Sequence, residues 1–260
     1  MRRLLTNWAS VTRRLRAARS IALFLDFDGT LAPPAADPAE AVINRAARAA
    51  LLRLAANPRV DGWIVSGRRR ADLRERVRLP GLNYLGVHGG DAAGAMFPES
   101  VIETVTKVRR ELAARLNGTR GVLVEDKGIA FSVHHRNAGC AETARARKLL
   151  AEVVEKSAGA LTIIEADRAW EVLPREIRGK GDAVRRIWRT RWAEGLPIYV
   201  GNDSTDETAF AALESGITIR VGAAPLTRAH YWVRDTGEVG WFLGKLEEEM
   251  RWGCRLDSNS

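Results

Sequence analysis

The sequence is poor in several things. Two cysteines, Cys140 and Cys254, occur in 260 residues, and they lie far apart. They offer no disulfide framework and no metal-ligand spacing, so two reduced thiols in a cytoplasmic chain are expected. No window approaches 18 consecutive apolar residues, which leaves no candidate for a membrane-spanning helix. The chain has no internal repeat and no low-complexity linker. Acids are in deficit, 32 against 41 Lys and Arg, for a formal net charge of +9. Such an excess can signal nucleic acid. Here, however, the arginines are spread along the whole chain and interleave with alanine, as in RAARAALLRLAANP. No recognition-helix pattern or clustered aromatic platform accompanies them. A solvated basic face that draws in a small anion is expected, with neither nucleic acid nor membrane as partner.

The rest of the composition is ordinary for a soluble globular protein, 46% hydrophobic and 28% charged. The length allows one large domain or two small ones. The first stretch, MRRLLTNWASVTRRLRAARS, is basic but has no long apolar segment or small-residue cleavage site. It reads as an amphipathic surface helix and not as a targeting peptide. The tail from Asp257 to Ser260 reads as a frayed end.

Between these ends the pattern alternates. IALFL is a continuous apolar run of the kind a strand buried on both faces requires. DPAEAVINRAARAALLRLAANP reads as a helix with Asp37 as N-cap, Pro38 at its first position and Glu40 completing a capping box. VDGWIVSG is a second strand, RRADLRERVRLPG a short helix and LNYLGVHGG a third strand. The middle differs. A helix over Glu99 to Leu116 is followed by two β-like runs, GVLVEDKG and IAFSVHHR, then by a helix over Ala141 to Ser157 and a hairpin, LTIIEADRAWEVLP. Alternation then returns with GKGDAVRRIWRTRWAEG as helix, PIYVGNDSTDE as a strand followed by a helix start, GITIRVG as another strand and EVGWFLGKLEEEM as the closing helix. The order predicts an α/β, doubly wound, mostly parallel core in two parts, residues 1–97 and 179–260, with an α+β unit inserted at 98–178.

The chemistry gathers at strand ends. Asp26 and Asp28 in FLDFDGTLAP follow the first apolar run and share one face, about 7 Å apart between Cα atoms. Buried carboxylates are costly unless paired or bound to metal. Ligands of open α/β sheets sit at the carboxyl ends of strands. There one carboxylate can attack phosphorus and the other can carry a proton to the leaving oxygen. Gly29 permits close backbone approach and Thr30 offers a hydroxyl. Ser66 with Gly67 suits a phosphate oxygen, and Lys180 in GKG can neutralise phosphate charge. Asn202, Asp203 and Asp206 in GNDSTDE are hard oxygen donors that can complete a Mg²⁺ site with Asp26 and Asp28. The plainer alternative for that segment is a capped helix start.

Four such segments in this order resemble the haloacid dehalogenase superfamily of phosphotransferases, with a Rossmann-like core. The resemblance implies that Asp26 is the nucleophile and Asp28 the general acid/base, with Ser66 and Lys180 on the phosphoryl group. DFDGTLAP, VSGR, HG, VEDKG, EVLP, KG and GNDSTDETAF occur in this order. That series is similar to the trehalose-6-phosphate phosphatases, from about Ile21 to Val221. The resemblance makes the inserted unit a cap over the active site. It implies that Glu125, Lys127, Arg136 and Glu171 grip the sugar, with His88 and Gly89 facing the substrate from the core. Strand alternation puts only one of His134 and His135 on that face. One position departs: the family usually has aspartate where Asn202 stands. Either Asn202 is a neutral ligand or Asp203 carries more of the metal.

The expected activity is therefore Mg²⁺-dependent hydrolysis of trehalose 6-phosphate through an aspartyl-phosphate. The expected partners are a phosphosugar substrate and a trehalose-phosphate synthase in the same pathway. Another sugar-phosphate or phosphoglycerate phosphatase, and a catalytically silent sugar-phosphate-binding module, are the alternatives. The intact Asp26, Asp28, Ser66 and Lys180 speak against the silent module.

Overall fold

The structure, a computed structural model, describes residues 1–34 and 40–256, with side chains through Arg251. Its centre is a seven-stranded sheet in which every neighbouring pair is parallel. In chain order the strands are β1 (Arg2–Arg3), β2 (Ile21–Leu25), β3 (Val60–Val65), β4 (Asn83–Leu85), β9 (Leu196–Gly201), β10 (Ile217–Val221) and β11 (Tyr231–Val233). Across the sheet the order is β1-β11-β10-β9-β2-β3-β4. Every residue of β2 is fully buried because helices cover both faces. Ile21, Leu23 and Leu25 join one cluster with α1 (Trp8–Ala17), α2 (Arg45–Ala55), α3 (Arg70–Val77) and α8 (Thr236–Leu256). Ala22 and Phe24 join another with α6 (Lys180–Arg191) and α7 (Glu207–Ala212). The alternation of one strand thus serves two hydrophobic layers.

A second sheet lies wholly within the middle of the chain. It is antiparallel, in the order β5-β6-β8-β7, from β5 (Leu123–Asp126), β6 (Phe131–His134), β7 (Leu161–Ala166) and β8 (Ala169–Pro174). One face packs on α4 (Glu99–Leu116) and α5 (Cys140–Glu155) through Phe131, Val133, Trp170 and Val172. The opposite face places Glu125, Ser132 and Glu171 in one cross-strand row. Leu173 of that face packs with Val87, Ala130 and Ile177, joining the second sheet to the loop after β4.

Some expectations differ from what is observed. Asp37 and Pro38 lie outside the described residues, and so does the tail at Asp257–Ser260. The helix expected from Asp37 onward begins instead at Arg45, where Asn44 caps it by accepting from the Ala46 amide at 2.8 Å. The expected amphipathic helix forms over Trp8–Ala17, with Val11 and Leu15 on its buried side, but Arg2–Arg3 before it extend the sheet beside Tyr231–Trp232. The closing helix runs from Thr236 to Leu256, longer at both ends than the apolar pattern indicates. Among the described residues no helix is long and apolar enough to cross a membrane.

Candidate active site

Parallel strands aim their carboxyl ends the same way, so the segments after β2, β3, β4 and β9 meet on one side of the sheet. Asp26 follows β2 directly and its amide donates to the Val200 carbonyl at 2.9 Å. It is almost fully buried. Its Oδ1 accepts from Lys180 Nζ at 2.7 Å, and the same ammonium donates to Asp206 Oδ1 at 2.8 Å. Lys180 is the first residue of α6, where Gly179, at φ 88°, turns the chain into the helix. Burial alone pushes the Lys180 ammonium down, but Asp206 and Asp26 overcome it and hold the pKa well above the usual value. Burial raises the Asp26 carboxyl well above its ordinary range; Lys180 opposes this, while Asp206 and Asp203 add to it.

Asp206 differs from what is expected of a metal ligand. Its Oδ1 is taken by Lys180 and by the Tyr199 hydroxyl at 2.6 Å, and its Oδ2 by the Asn202 and Asp203 amides at 2.8 and 3.0 Å. Fully buried, it anchors both the lysine and the loop. Asp203 Oδ1 accepts from the Thr205 amide and hydroxyl at 2.7 and 2.6 Å, the turn that the capped-helix alternative describes. Burial would raise the Asp203 carboxyl, but Lys180 and Thr205 keep it below the ordinary range.

The Asn202 side chain reaches the Asp26 carboxylate. One atom of its amide lies 3.0 Å from Asp26 Oδ2, 2.7 Å from the Asp28 carbonyl and 3.1 Å from the Thr30 hydroxyl. Turned one way, the nitrogen donates to all three. Turned the other, its oxygen faces the Asp26 and Asp28 oxygens with no proton between them. Adjacent oxygens around octahedral Mg²⁺, with bonds of about 2.0–2.1 Å, stand about 2.9 Å apart. The two spacings at Asn202, 3.0 and 2.7 Å, suit such an ion when its oxygen faces inward and suit hydrogen bonds when its nitrogen does. Gly29, at φ 78°, makes the approach possible, because a Cβ there would collide with the Asn202 side chain. Among the described residues no group of three or more His, Cys, Asp or Glu side chains is gathered as for a metal. The fitting set is one carboxylate, one carbonyl and one amide.

The Asp28 side chain turns away from that group. Arg68 forks onto it, Nε to Oδ2 at 2.6 Å and Nη2 to Oδ1 at 2.7 Å. Arg68 also donates to Asp72 at 2.9 Å and covers the Phe27 ring at 5.4 Å. Ser66 is buried at the end of β3, and its hydroxyl accepts the Arg68 amide at 3.2 Å. Next to it, a Cβ on Gly67 would stand 2.8 Å from His88 Nε2, so glycine is needed for His88 to lie there.

His88 itself is buried with its backbone in the left-handed region, φ 55°. Neither ring nitrogen has a hydrogen-bond partner among the described residues. A strained, unsatisfied polar group marks a place where a ligand would complete the structure. Glu171 Oε2 stands 3.7 Å from its Nε2. Glu171 accepts from Lys127 Nζ at 3.0 and 2.9 Å and from the Ser132 hydroxyl at 2.8 Å, all buried. Burial would raise the Glu171 carboxyl, but Lys127 and His88 hold it well below the carboxylate range. Glu125, beside Ser132 in the row, pairs with His134 Nε2 at 2.8 Å, while His135 stacks on Trp170 on the opposite face. The hydrogen bond to His134 keeps the Glu125 pKa low. A second link between the sheets runs from the Ser204 hydroxyl to the Glu165 carbonyl at 3.0 Å.

Asp26, Thr30, Lys180, Asn202, Asp203 and Asp206 are thus brought together. Ser66, Gly67 and His88 adjoin them, with Lys127, Glu171 and Glu125 opposite. Gly89, at φ 102°, packs against Ala183 at the start of α6 and shapes the loop. Arg136 stands apart: it pairs with Asp167 at 3.0 Å, and no hydrogen bond or ion pair joins it to Lys127, Glu171 or Glu125 among the described residues. Sequence reasoning assigned no role to Arg68, Tyr199 or Ser132. Tyr199 carried a faint signal, since a tyrosine within an apolar strand must find a partner for its hydroxyl.

The sequence profile of the family described as Trehalose-phosphatase matches residues 24–230. The rice (Oryza sativa subsp. japonica) "Probable trehalose-phosphate phosphatase 4" is 33% identical over 90% of this chain and 67% of its own length. The "Trehalose-phosphate phosphatase" of Mycobacterium ulcerans is 34% identical over 88% of this chain and 62% of its own. Among solved structures, the C-terminal domain of C. albicans trehalose-6-phosphate phosphatase superposes with a TM-score of 0.78, covering 93% of this chain and 97% of that one at 22% identity, a likeness of fold. With the profile spanning most of the chain and relatives this similar, the chain belongs to the trehalose-phosphatase family.

Proposed function

We propose that the chain is a phosphoric monoester hydrolase that cleaves trehalose 6-phosphate to trehalose and phosphate. One observation carries the reading. The buried Asp26–Lys180 pair lies at the strand ends, and the buried Lys127–Glu171–Ser132 group lies across from it, with His88 between them at 3.7 Å from Glu171. A phosphate site facing a cluster of sugar-directed donors and acceptors suits a phosphosugar better than a small phosphate ester. Residues 98–178 act as a cap whose polar face closes on the sugar, with Glu125, Lys127 and Glu171 binding its hydroxyls. Arg136 has no part in this grip while it is paired to Asp167.

In the reaction a carboxylate oxygen of Asp26 attacks phosphorus as the bond to the sugar oxygen breaks, leaving an aspartyl-phosphate. Asp28, protonated on one oxygen and held by Arg68 through the other, gives that proton to the departing sugar oxygen. It then takes a proton from the water that attacks phosphorus, which frees Asp26 and inorganic phosphate. Lys180, the Ser66 hydroxyl, the Gly67 amide and Thr30 hold the phosphoryl oxygens. Positioning and charge neutralisation carry most of the rate, as in phosphoryl transfer generally. Asp26 Oδ2, the Asp28 carbonyl and Asn202 would hold Mg²⁺, which when bound neutralises charge beside the phosphoryl group. Asp206 and Asp203 support Lys180 and the loop in this reading. A cytoplasmic location belongs to the same proposal, consistent with the free thiol of Cys140.

The test is phosphate release from trehalose 6-phosphate and from a panel of other phosphosugars and phosphoglycerate, with and without Mg²⁺. Release confined to or strongly favouring trehalose 6-phosphate is expected. Faster release from another member of the panel would reassign the substrate. No release with Mg²⁺ present would leave a silent binding module.

A further inference from the structure

A half-open groove lies away from the catalytic strand ends, along the free edge of the first sheet. It encloses ≈ 670 Å³ beside β4, between α3 and α6. Five arginines line it: Arg70 and Arg74 of α3, Arg78 just beyond, and Arg186 and Arg191 of α6. No Asp or Glu lies among the lining residues. Three of the five form ion pairs: Arg70 with Asp91 at 3.5 Å, Arg78 with Glu75 at 3.8 Å and Arg191 with Asp61 at 3.6 Å. Asp61 is already engaged, accepting from Trp63 at 2.7 Å and Asn83 at 2.9 Å. Arg74 and Arg186 have no acid partner among the described residues.

Arg74, Arg78, Arg186 and Arg191 are exposed like arginines elsewhere in the chain, but these converge on one hollow. Arg70 and Arg74 share one side of α3 and Arg78 follows the helix into the same hollow, so like charges there repel one another. The α6 arginines converge on the same cavity from the other side. The floor is apolar, with Trp63, Leu85 and Ile187 in one buried cluster, and Arg191 sits over the Trp63 ring at 5.7 Å. A concave apolar floor with a rim of guanidinium forks suits a small anion. The volume falls in the range of small-molecule sites, about 300–1,000 Å³, and arginine forks match phosphate at two points. At about 1.5 Å per residue, Arg186 and Arg191 lie about 9 and 17 Å along α6 from Lys180, so the groove is separate from the catalytic group.

We propose that this groove binds a small polyanion carrying two or more phosphate groups, of which an inorganic polyphosphate and a nucleoside polyphosphate are the two sources. Its walls are the elements that present catalytic groups at their other ends. The helix α3 follows Ser66 and Arg68, β4 leads into His88, and α6 begins at Lys180. A ligand bridging α3 and α6 therefore touches the supports of the active site without entering it.

The Trp63 indole N–H gives a local probe. In the full chain its ¹⁵N-indole resonance, assigned with Trp63→Phe, is followed as tripolyphosphate, ATP, adenosine or a glutamate hexapeptide is added at fixed salt. Tripolyphosphate and ATP should shift it saturably. The double variant Arg74→Ser/Arg186→Ser should weaken that binding at least tenfold and leave basal turnover within twofold of the parent. A control with the same loss of charge elsewhere, Arg13→Ser/Arg120→Ser, should weaken it less than threefold. Tighter binding of ATP would favour the nucleotide source, and equal binding the phosphate chain alone. An unmoved Trp63 resonance would overturn the site. So would equal losses in the two double variants, or adenosine or the hexapeptide binding as tightly as tripolyphosphate.

Discussion

Arg68 holds the Asp28 carboxylate at two points, 2.6 and 2.7 Å, while its own side chain is only 13% exposed. A general acid has to be aimed, and this fork aims it. Arg68→Lys keeps the charge but loses the planar two-point grip. With Asp28→Asn expected to cost 10²–10⁴-fold, the usual range for a general acid–base, Arg68→Lys should lower kcat by on the order of tenfold. Groups that act as a unit are not additive, so Asp28→Asn/Arg68→Lys should be no slower than Asp28→Asn alone. Multiplying losses would place the contribution of Arg68 somewhere other than Asp28.

The Asn202 amide sets the metal prediction. Chelation should abolish turnover and Mg²⁺ should restore it. Asn202→Asp adds a negative charge within about 3 Å of the Asp26 carboxylate oxygen, taking the place of an amide atom now at 3.0 Å. Without the ion the two charges repel, so the variant should melt below the parent in EDTA. With Mg²⁺ the order should reverse, and calorimetric titration should show tighter binding. An unchanged Mg²⁺ affinity would remove residue 202 from the ligand set.

Much of the site could be read from the chain because it obeys local rules. IALFL followed by DFDGT announces a buried strand that ends in carboxylates, and the α-β-β-α-β-β order of the middle needs no long-range information. What could not be read is settled by pairings across the fold. Nothing near Arg68 in sequence indicates that it meets Asp28, 40 residues away. Asp206 reads as a metal donor because it is a hard oxygen donor in the same strand-end segment as Asn202 and Asp203. Whether its oxygens are free depends on Lys180 and Tyr199, which only the packed core brings to it. The two-residue strand Arg2–Arg3 has no pattern of its own, and its partner Tyr231–Trp232 alone makes it a strand.

Glu171 predicts a pH dependence. Its folded-state pKa is held well below the carboxylate range by Lys127 and His88 despite burial. A depressed carboxylate pKa adds stability above the unfolded value, about 4.3, and loses it as pH falls toward the folded value. Glu171→Gln strands Lys127 without its ion-pair partner, and breaking a buried pair costs about 3–5 kcal/mol. The melting gap between parent and variant should be widest near pH 7 and narrow progressively below about pH 4.3. A gap that stays constant from pH 7 to pH 3 would mean that Glu171 contributes by packing and not by charge.

Glu125 separates binding from chemistry. It stands in the polar row beside Ser132 and Glu171, on the face turned toward His88, and the only side chain it grips among the described residues is His134. If that row binds the sugar, Glu125 serves the hydroxyls and not the phosphorus. Losing a hydrogen bond to a charged group costs about 1.5–3 kcal/mol, or on the order of 10 to 150-fold at 1.4 kcal/mol per tenfold. Glu125→Ala should lower kcat/KM on trehalose 6-phosphate by about that factor. On p-nitrophenyl phosphate, which has no sugar to present to the cap, the variant should stay within about threefold of the parent. Lys180→Ala removes the cation between Asp26 and Asp206 and should lose both substrates together. The contrast depends on the ratio of the two substrates, so a general loss of folded protein cannot imitate it. Equal losses on both substrates for Glu125→Ala would show that Glu125 supports the core or the closure of the two sheets, and sugar specificity would then have to come from Lys127, Glu171 and His88.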